Sequence, residues 1–119
     1  MKLRETIKCG DRIYEVGYHD VDGTGFKLIA VAYTVAKVTP TTVAIKTLRY
    51  GTVPARQGLT SRVSRKVLGG RYLASEREAW LAYIEREKRE IEARQSEITR
   101  RQASLEAAYL ELGKVVTGG

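Results

Sequence analysis

Apolar positions along this chain follow two rhythms, and the change between them falls near residue 74. Residues 12–18 alternate, with Ile13 and Glu15 on one side and Tyr14 and Val16 on the other, which predicts a strand. Residues 26–38 give the clearest strand. Ile29, Val31, Tyr33 and Val35 share one face, and Ala30, Ala32, Thr34 and Ala36 share the other. The β-branched and aromatic side chains suit a pleated surface. Both faces are apolar or small, so this strand is expected at the centre of a sheet.

Thr39-Pro40-Thr41 interrupts it, because Pro40 cannot donate to a ladder. Residues 42–48 resume the alternation and complete a hairpin. A loop from Gly51 to Gly58 carries Pro54 and Arg56. Residues 59–67 then read as a further strand with Arg62, Ser64 and Lys66 on its polar face, Val63 and Val67 opposite, and Arg65 at an edge. Gly69-Gly70 closes the β region. Between the first two strands, Asp20-Val21-Asp22-Gly23-Thr24-Gly25 is turn chemistry. It partly matches a calcium loop but lacks the closing glutamate, since the chain runs straight into Phe26-Lys27-Leu28.

Beyond Arg71, Tyr72 and Leu73 the rhythm becomes helical. From Ser75 to Leu112 there is no glycine or proline, and Ala, Glu, Arg, Leu and Ile dominate. Ser75-Glu76-Arg77-Glu78 has the form of a capping box, and Gly113 stands where a helix ends. The expected organisation is a β domain over residues 1–73, a helix over 75–112 and a frayed tail over 113–119. Such a helix is about 56 Å long, whereas a domain of this size is about 30 Å across. Roughly half of the helix then has no sheet to lie against.

That helix carries the strongest pattern in the sequence. Ile84, Ile91, Ile98, Leu105 and Leu112 recur at a strict interval of seven, the period of left-handed packing along another helix. The complementary seam positions are Leu81, Lys88, Gln95, Gln102 and Tyr109, apolar only at the two ends. Self-association through Ile84, Ile91, Ile98, Leu105, Tyr109 and Leu112, as a homodimer, is the favoured reading. Docking on the chain's own sheet and a solvated single helix are the alternatives. Glu85/Arg89, Glu90/Arg94 and Glu97/Arg101 are i,i+4 pairs that support an exposed helix by a few tenths of a kcal/mol each, on the order of 0.3. Trp80, Leu81, Tyr83 and Ile84 widen the apolar face at its start, as an anchor onto the β domain or, for Trp80, a ligand-stacking residue.

Charge sharpens the division. Residues 1–74 hold 13 Lys/Arg against 5 Asp/Glu, a net of +8, and residues 75–119 hold 8 against 9, a net of −1, which together give the chain's +7. The whole excess sits on the β domain, which favours polyanions or acidic protein surfaces, or serves solubility alone. Arg49, Tyr50, Arg56, Arg62, Arg65, Lys66, Arg71 and Tyr72 form a basic, aromatic-flanked segment. Arginine forks suit phosphates and carboxylates, and tyrosines stack on bases. The candidate contact set for DNA, RNA or an acidic host protein is therefore Arg49, Arg56, Arg62, Arg65, Lys66, Arg71 and Tyr72.

Other chemistry is thin. The one cysteine, Cys9, reads as a small buried side chain and forbids an intrachain disulfide. The one histidine, His19, followed by Asp20 and Asp22, reads as a polar loop and not a ligand set. No nucleophile–base pair, phosphate cradle or metal cluster is present, so neither an enzymatic role nor a cofactor is expected. No apolar run is long enough to span a bilayer, and the charged N-terminus lacks the apolar stretch of a secretion signal, so a cytoplasmic location is expected.

The run Tyr33-Thr34-Val35-Ala36-Lys37-Val38-Thr39-Pro40-Thr41-Thr42-Val43-Ala44-Ile45, followed by Arg71-Tyr72-Leu73-Ala74-Ser75-Glu76-Arg77-Glu78-Ala79, resembles small β-barrel-domain proteins of bacteriophages and actinobacteria. The resemblance covers residues 12–85 and leaves the heptad extension outside it. It implies an α+β fold with a small SH3-like antiparallel barrel. It also implies a phage origin but gives no established activity; the role expected from the basic domain and the helix together is a phage-type accessory protein in a bacterial host, contacting nucleic acid or, alternatively, inhibiting a host defence protein by direct binding. The resemblance carries no catalytic residues.

Overall fold

The computed structural model describes residues 2–56 and 60–118. In chain order the elements are α1 (Leu3–Thr6), β1 (Arg12–His19), β2 (Lys27–Val38), β3 (Thr42–Tyr50), β4 (Val53–Pro54), β5 (Thr60–Ser64), a 3-10 turn (Arg65–Val67) and α2 (Glu76–Gly118). The fold is α+β: an antiparallel five-stranded sheet ordered β1-β2-β3-β4, with β5 also on β3, and one long C-terminal helix. The sheet is not closed into a barrel by its strand pairing. Two compact units result, one running to Tyr83 and one beginning at Ile84.

β2 is central, between β1 and β3, as its two apolar faces require. On one face Ile13, Val35, Val43, Ile45, Leu68, Tyr72 and Ile7 form the main core, joined by Tyr33, Val38 and Val63. Ile13, Val31, Val35, Val43 and Ile45 are almost wholly excluded from water, each worth roughly 1.5–3 kcal/mol of burial. On the other face Val16 and Ala30 receive Ala79, Trp80 and Tyr83 from the first two turns of α2, with Tyr14, Leu28 and Leu73 around them. The small side chain of Ala30 leaves room for the helix backbone to approach. Trp80 and Tyr83 are thus the anchor, while Leu81 and Ile84, expected to share it, remain half exposed.

Several local expectations need correction. The segment read as a strand over 59–67 is a strand only through Ser64; there the Ser64 hydroxyl accepts from the Lys66 amide at 3.2 Å and starts the 3-10 turn. Leu59, with the loop end at Gln57 and Gly58, lies outside the described residues. α1 is a single short turn that no periodicity announces. Leu73 pairs with Tyr14 on the free edge of β1, through Tyr14 N–H to Leu73 O at 2.8 Å and Leu73 N–H to Tyr14 O at 2.9 Å. Ser75 caps α2 by accepting from the Glu78 amide at 3.1 Å. The helix does not stop at Leu112. It passes through Gly113 to Gly118, the Thr117 hydroxyl donating back to the Gly113 carbonyl at 2.7 Å.

Two register shifts decide which way the strand ends face. Ala36 is skipped between the pairs Val35–Ile45 and Lys37–Ala44, and Leu48 is skipped between Tyr33–Thr47 and Ala32–Arg49. An extra residue reverses the in–out parity of the strand beyond it. Lys37 therefore faces away from the main core and Val38 faces into it. Arg49 likewise turns outward, and Tyr50 turns to the core side.

Candidate functional site

Directly opposed residues on neighbouring strands share a face. One row runs Arg12, Thr34, Lys46, Thr60 across β1, β2, β3 and β5, and the next runs Lys37, Ala44, Arg62. These rows lie on the face opposite Val35, Ile45 and Val43, beyond the part on which Ala79, Trp80 and Tyr83 pack. Arg12, Lys37, Lys46 and Arg62 are all exposed. With strands about 4.8 Å apart, the Cα atoms of Arg12 and Lys46 are roughly 10 Å apart and those of Lys46 and Arg62 roughly 8 Å. No acidic residue stands in either row, and none of the four cations has an ion-pair partner among the described residues. Arg49 sits at the rim of this face, donating to the Gly51 carbonyl at 3.3 Å and lying 4.0 Å from Glu76 on α2.

The seven contact residues named from sequence are scattered by comparison. Arg62 stands in the basic face and Arg49 at its rim. Arg65 is committed to the fold, its guanidinium donating to the Thr39 carbonyl at 3.1 Å and to the Arg4 carbonyl. Lys66 is exposed beside Arg62 and Arg65 in a shallow groove at the Pro40 turn. Arg56 is exposed at the other end of β3, where it lines a cleft together with Tyr50 and Lys27.

Arg71 and Tyr72 have structural work. The Arg71 guanidinium pairs with the buried Glu15 carboxylate and lies 5.3 Å from the Tyr72 ring centroid. Tyr72 is 4% exposed and meets Tyr33 edge-on at 5.5 Å, so it is core and unavailable for base stacking. The Tyr33 hydroxyl donates to Glu15 at 3.1 Å. Burial first, then the Glu15 charge, pushes the Tyr33 hydroxyl well above the ordinary tyrosine range, and Tyr72 moves upward for the same reasons. The hydrogen bond to Glu15 raises Arg71 further.

Arg12, Lys37 and Lys46 were missed from sequence. Arg12 and Lys46 were legible, since each alternates with a core isoleucine, Ile13 or Ile45. Lys37 was not, because strict alternation places it inside. Cys9 also departs from expectation: it is exposed, with its thiol donating to the Ala36 carbonyl at 3.3 Å. In the loop after β1, the Thr24 hydroxyl and amide bind Asp22 at 2.6 and 3.1 Å, and this holds its carboxyl below the usual range. Among the described residues no group of three or more His, Cys, Asp or Glu is placed to hold a metal ion. No described helix is long and apolar enough to cross a membrane.

The second unit is a helix whose seam is open to solvent. Ile91, Ile98 and Leu105 are each 54% exposed, Leu112 56% and Tyr109 66%. Arg94 binds Glu90 at 3.0 Å and Arg101 binds Glu97 at 2.9 Å, whereas Glu85 and Arg89 form no ion pair among the described residues. The chain matches no protein-family model, no curated protein and no solved structure.

Proposed function

We propose that this chain is a non-enzymatic binding protein that holds the phosphate backbone of nucleic acid on the outer sheet face and pairs with a second copy through α2. One observation carries the reading: Arg12, Lys37, Lys46 and Arg62 are exposed together on one sheet face with no carboxylate among them. Unpaired cations at this spacing attract a polyanion and gain from counterion release. Arg49 and Lys66 extend the surface at its margins. Arg65, Arg71 and Tyr72 hold the fold and are left out of it.

Pairing through α2 rests on two features. The exposed seam keeps a strict period of seven, and a helix that supercoils needs a mate of the same period, which a second copy supplies. The helix is also charge-balanced, so two copies do not repel along it. The finer assignment of the first unit as an SH3-like barrel is part of the same proposal. It is supported by the path of the chain, which leaves β5 on one edge, makes a 3-10 turn and reaches the opposite edge at Leu73. A phage origin rests on the sequence resemblance, and the accessory role in a bacterial host on the basic domain and the helix together.

The test is titration of a labelled oligonucleotide at several salt concentrations. Four phosphate contacts give a slope of log K against log salt of about −2.8 on a single strand, a loss of about 50-fold between about 50 and 200 mM. Lys46→Gln with Arg62→Gln should roughly halve that slope. No binding at low salt would abandon the nucleic-acid reading in favour of an acidic host-protein surface.

A further inference from the structure

Consecutive residues of β3 face two different surfaces: Arg49 lies at the rim of the basic face, and Tyr50 turns to the other side. There Tyr50 lines an open cleft of about 690 Å³ with His19, Ile29, Val53, Lys27 and Arg56. The His19 and Tyr50 rings stand 5.9 Å apart, centroid to centroid. A neighbouring depression of about 450 Å³ shares His19 and Tyr50 and adds Tyr18 and Phe26. Phe26, the only phenylalanine in the chain, is 72% exposed, and Tyr18 is 61% exposed. Two large aromatic side chains left this open beside one depression have the character of a contact surface.

We infer that this aromatic cleft takes unstacked bases of single-stranded nucleic acid. Its size is within the range that small ring ligands fill. His19 and Tyr50 line the cleft, Tyr18 and Phe26 line the depression beside it, and all four rings are of a kind that stacks on bases; Arg56 stands at the cleft to meet an adjoining phosphate, while Lys27 is held by Asp22. The carboxylates there are already engaged: Asp22 by Thr24 and, at 3.8 Å, by Lys27, and Asp20 by the Gly25 amide at 3.3 Å. Stacking is indifferent to sequence, because every base has a π face. Duplex DNA offers no such face along its length, so single strands are preferred. This rests on the nucleic-acid reading above and adds where the bases go.

The test compares three labelled DNAs of equal length by fluorescence anisotropy: an intact single strand, its duplex and an abasic single strand. The intact strand should bind about tenfold tighter or better than the abasic one and tighter than the duplex. Phe26→Ala with Tyr18→Ala should erase the advantage of bases while leaving the abasic affinity unchanged; both sites are exposed, and circular dichroism checks the fold. Lys46→Gln with Arg62→Gln should weaken all three ligands. Equal binding of intact and abasic strands, a duplex bound as tightly as the single strand, or no effect of the aromatic variant would each overturn the cleft assignment and leave the phosphate face standing. Absence of binding to all three at low salt would remove both.

Discussion

Self-association through α2 should be weak, and its strength follows from the exposed seam. Ile84, Ile91, Ile98, Leu105 and Leu112 are each about half exposed, between 45% and 56%. Full burial of such a side chain is worth roughly 1.5–3 kcal/mol, so covering the remaining half is worth about 1 kcal/mol. Five residues on each of two helices give on the order of 10 kcal/mol, and association costs about 4–15 kcal/mol. Lys88, Gln95 and Gln102 subtract further, because they lose water without an apolar gain. The net gain is about 6 kcal/mol at most, so the expected dissociation constant is tens of micromolar at the tightest and extends to millimolar and beyond. Sedimentation across a wide concentration series should show a monomer–dimer equilibrium. Gln95→Leu with Gln102→Leu fills the middle of the seam on both helices and should tighten the dimer by about a hundredfold or more. Ile91→Asn with Ile98→Asn should leave a folded monomer. A leucine variant that stays monomeric at the highest concentration would refute the seam as a dimer interface.

Three further outcomes concern the first unit. Ser75→Ala removes the acceptor for the Glu78 amide and should cost about 1 kcal/mol in a denaturant titration, with Ser75→Gly costing less. Tyr33 and Tyr72 have raised pKa values in the fold, so between the unfolded tyrosine value near 10 and their folded values the native state holds more protons than the unfolded one. Their contribution is complete below about pH 10 and is lost as pH rises beyond it; Tyr33→Phe should make the alkaline decline shallower by about one proton. Glu15→Ala leaves the half-buried Tyr33 hydroxyl without its acceptor and should cost about 1–3 kcal/mol, while Arg71, largely exposed, recovers water and adds little.

Much of the architecture was legible because burial imposes period. Ile13, Ile45 and Val35 face a core, and the residues between them face elsewhere; Ala79, Trp80 and Tyr83 recur on one helix face that must be covered. Short elements were not legible. The single turn of α1 and the 3-10 turn at Arg65 have too few residues to show a period, and Ser64 caps the latter through one hydroxyl that resembles any other serine in a strand. The binding surface was half legible. Charge density pointed to residues 49–72, but three cations in that stretch are pinned or marginal: Arg65 by two carbonyls, Arg71 by Glu15 and Arg49 by Glu76. Their replacements, Arg12, Lys37 and Lys46, come from strands distant in sequence and meet only through cross-strand register. The aromatic cleft was least visible, since Tyr18, Phe26 and Tyr50 share no motif and are assembled by the β1–β2 and β3–β4 turns.

The unpaired positions Ala36 and Leu48 give the molecule a sensitivity to counting. Replacing Ala36 by serine should change little, because its side chain points to solvent and carries no chemistry. Removing the residue altogether would rotate everything after it in that strand by half a turn, aiming an ammonium at Val43 and Ile45 and a valine at water. Tolerance to substitution and intolerance to deletion at one site is the signature to seek in a mutational scan, and any engineered graft of this surface must preserve spacing before it preserves identity.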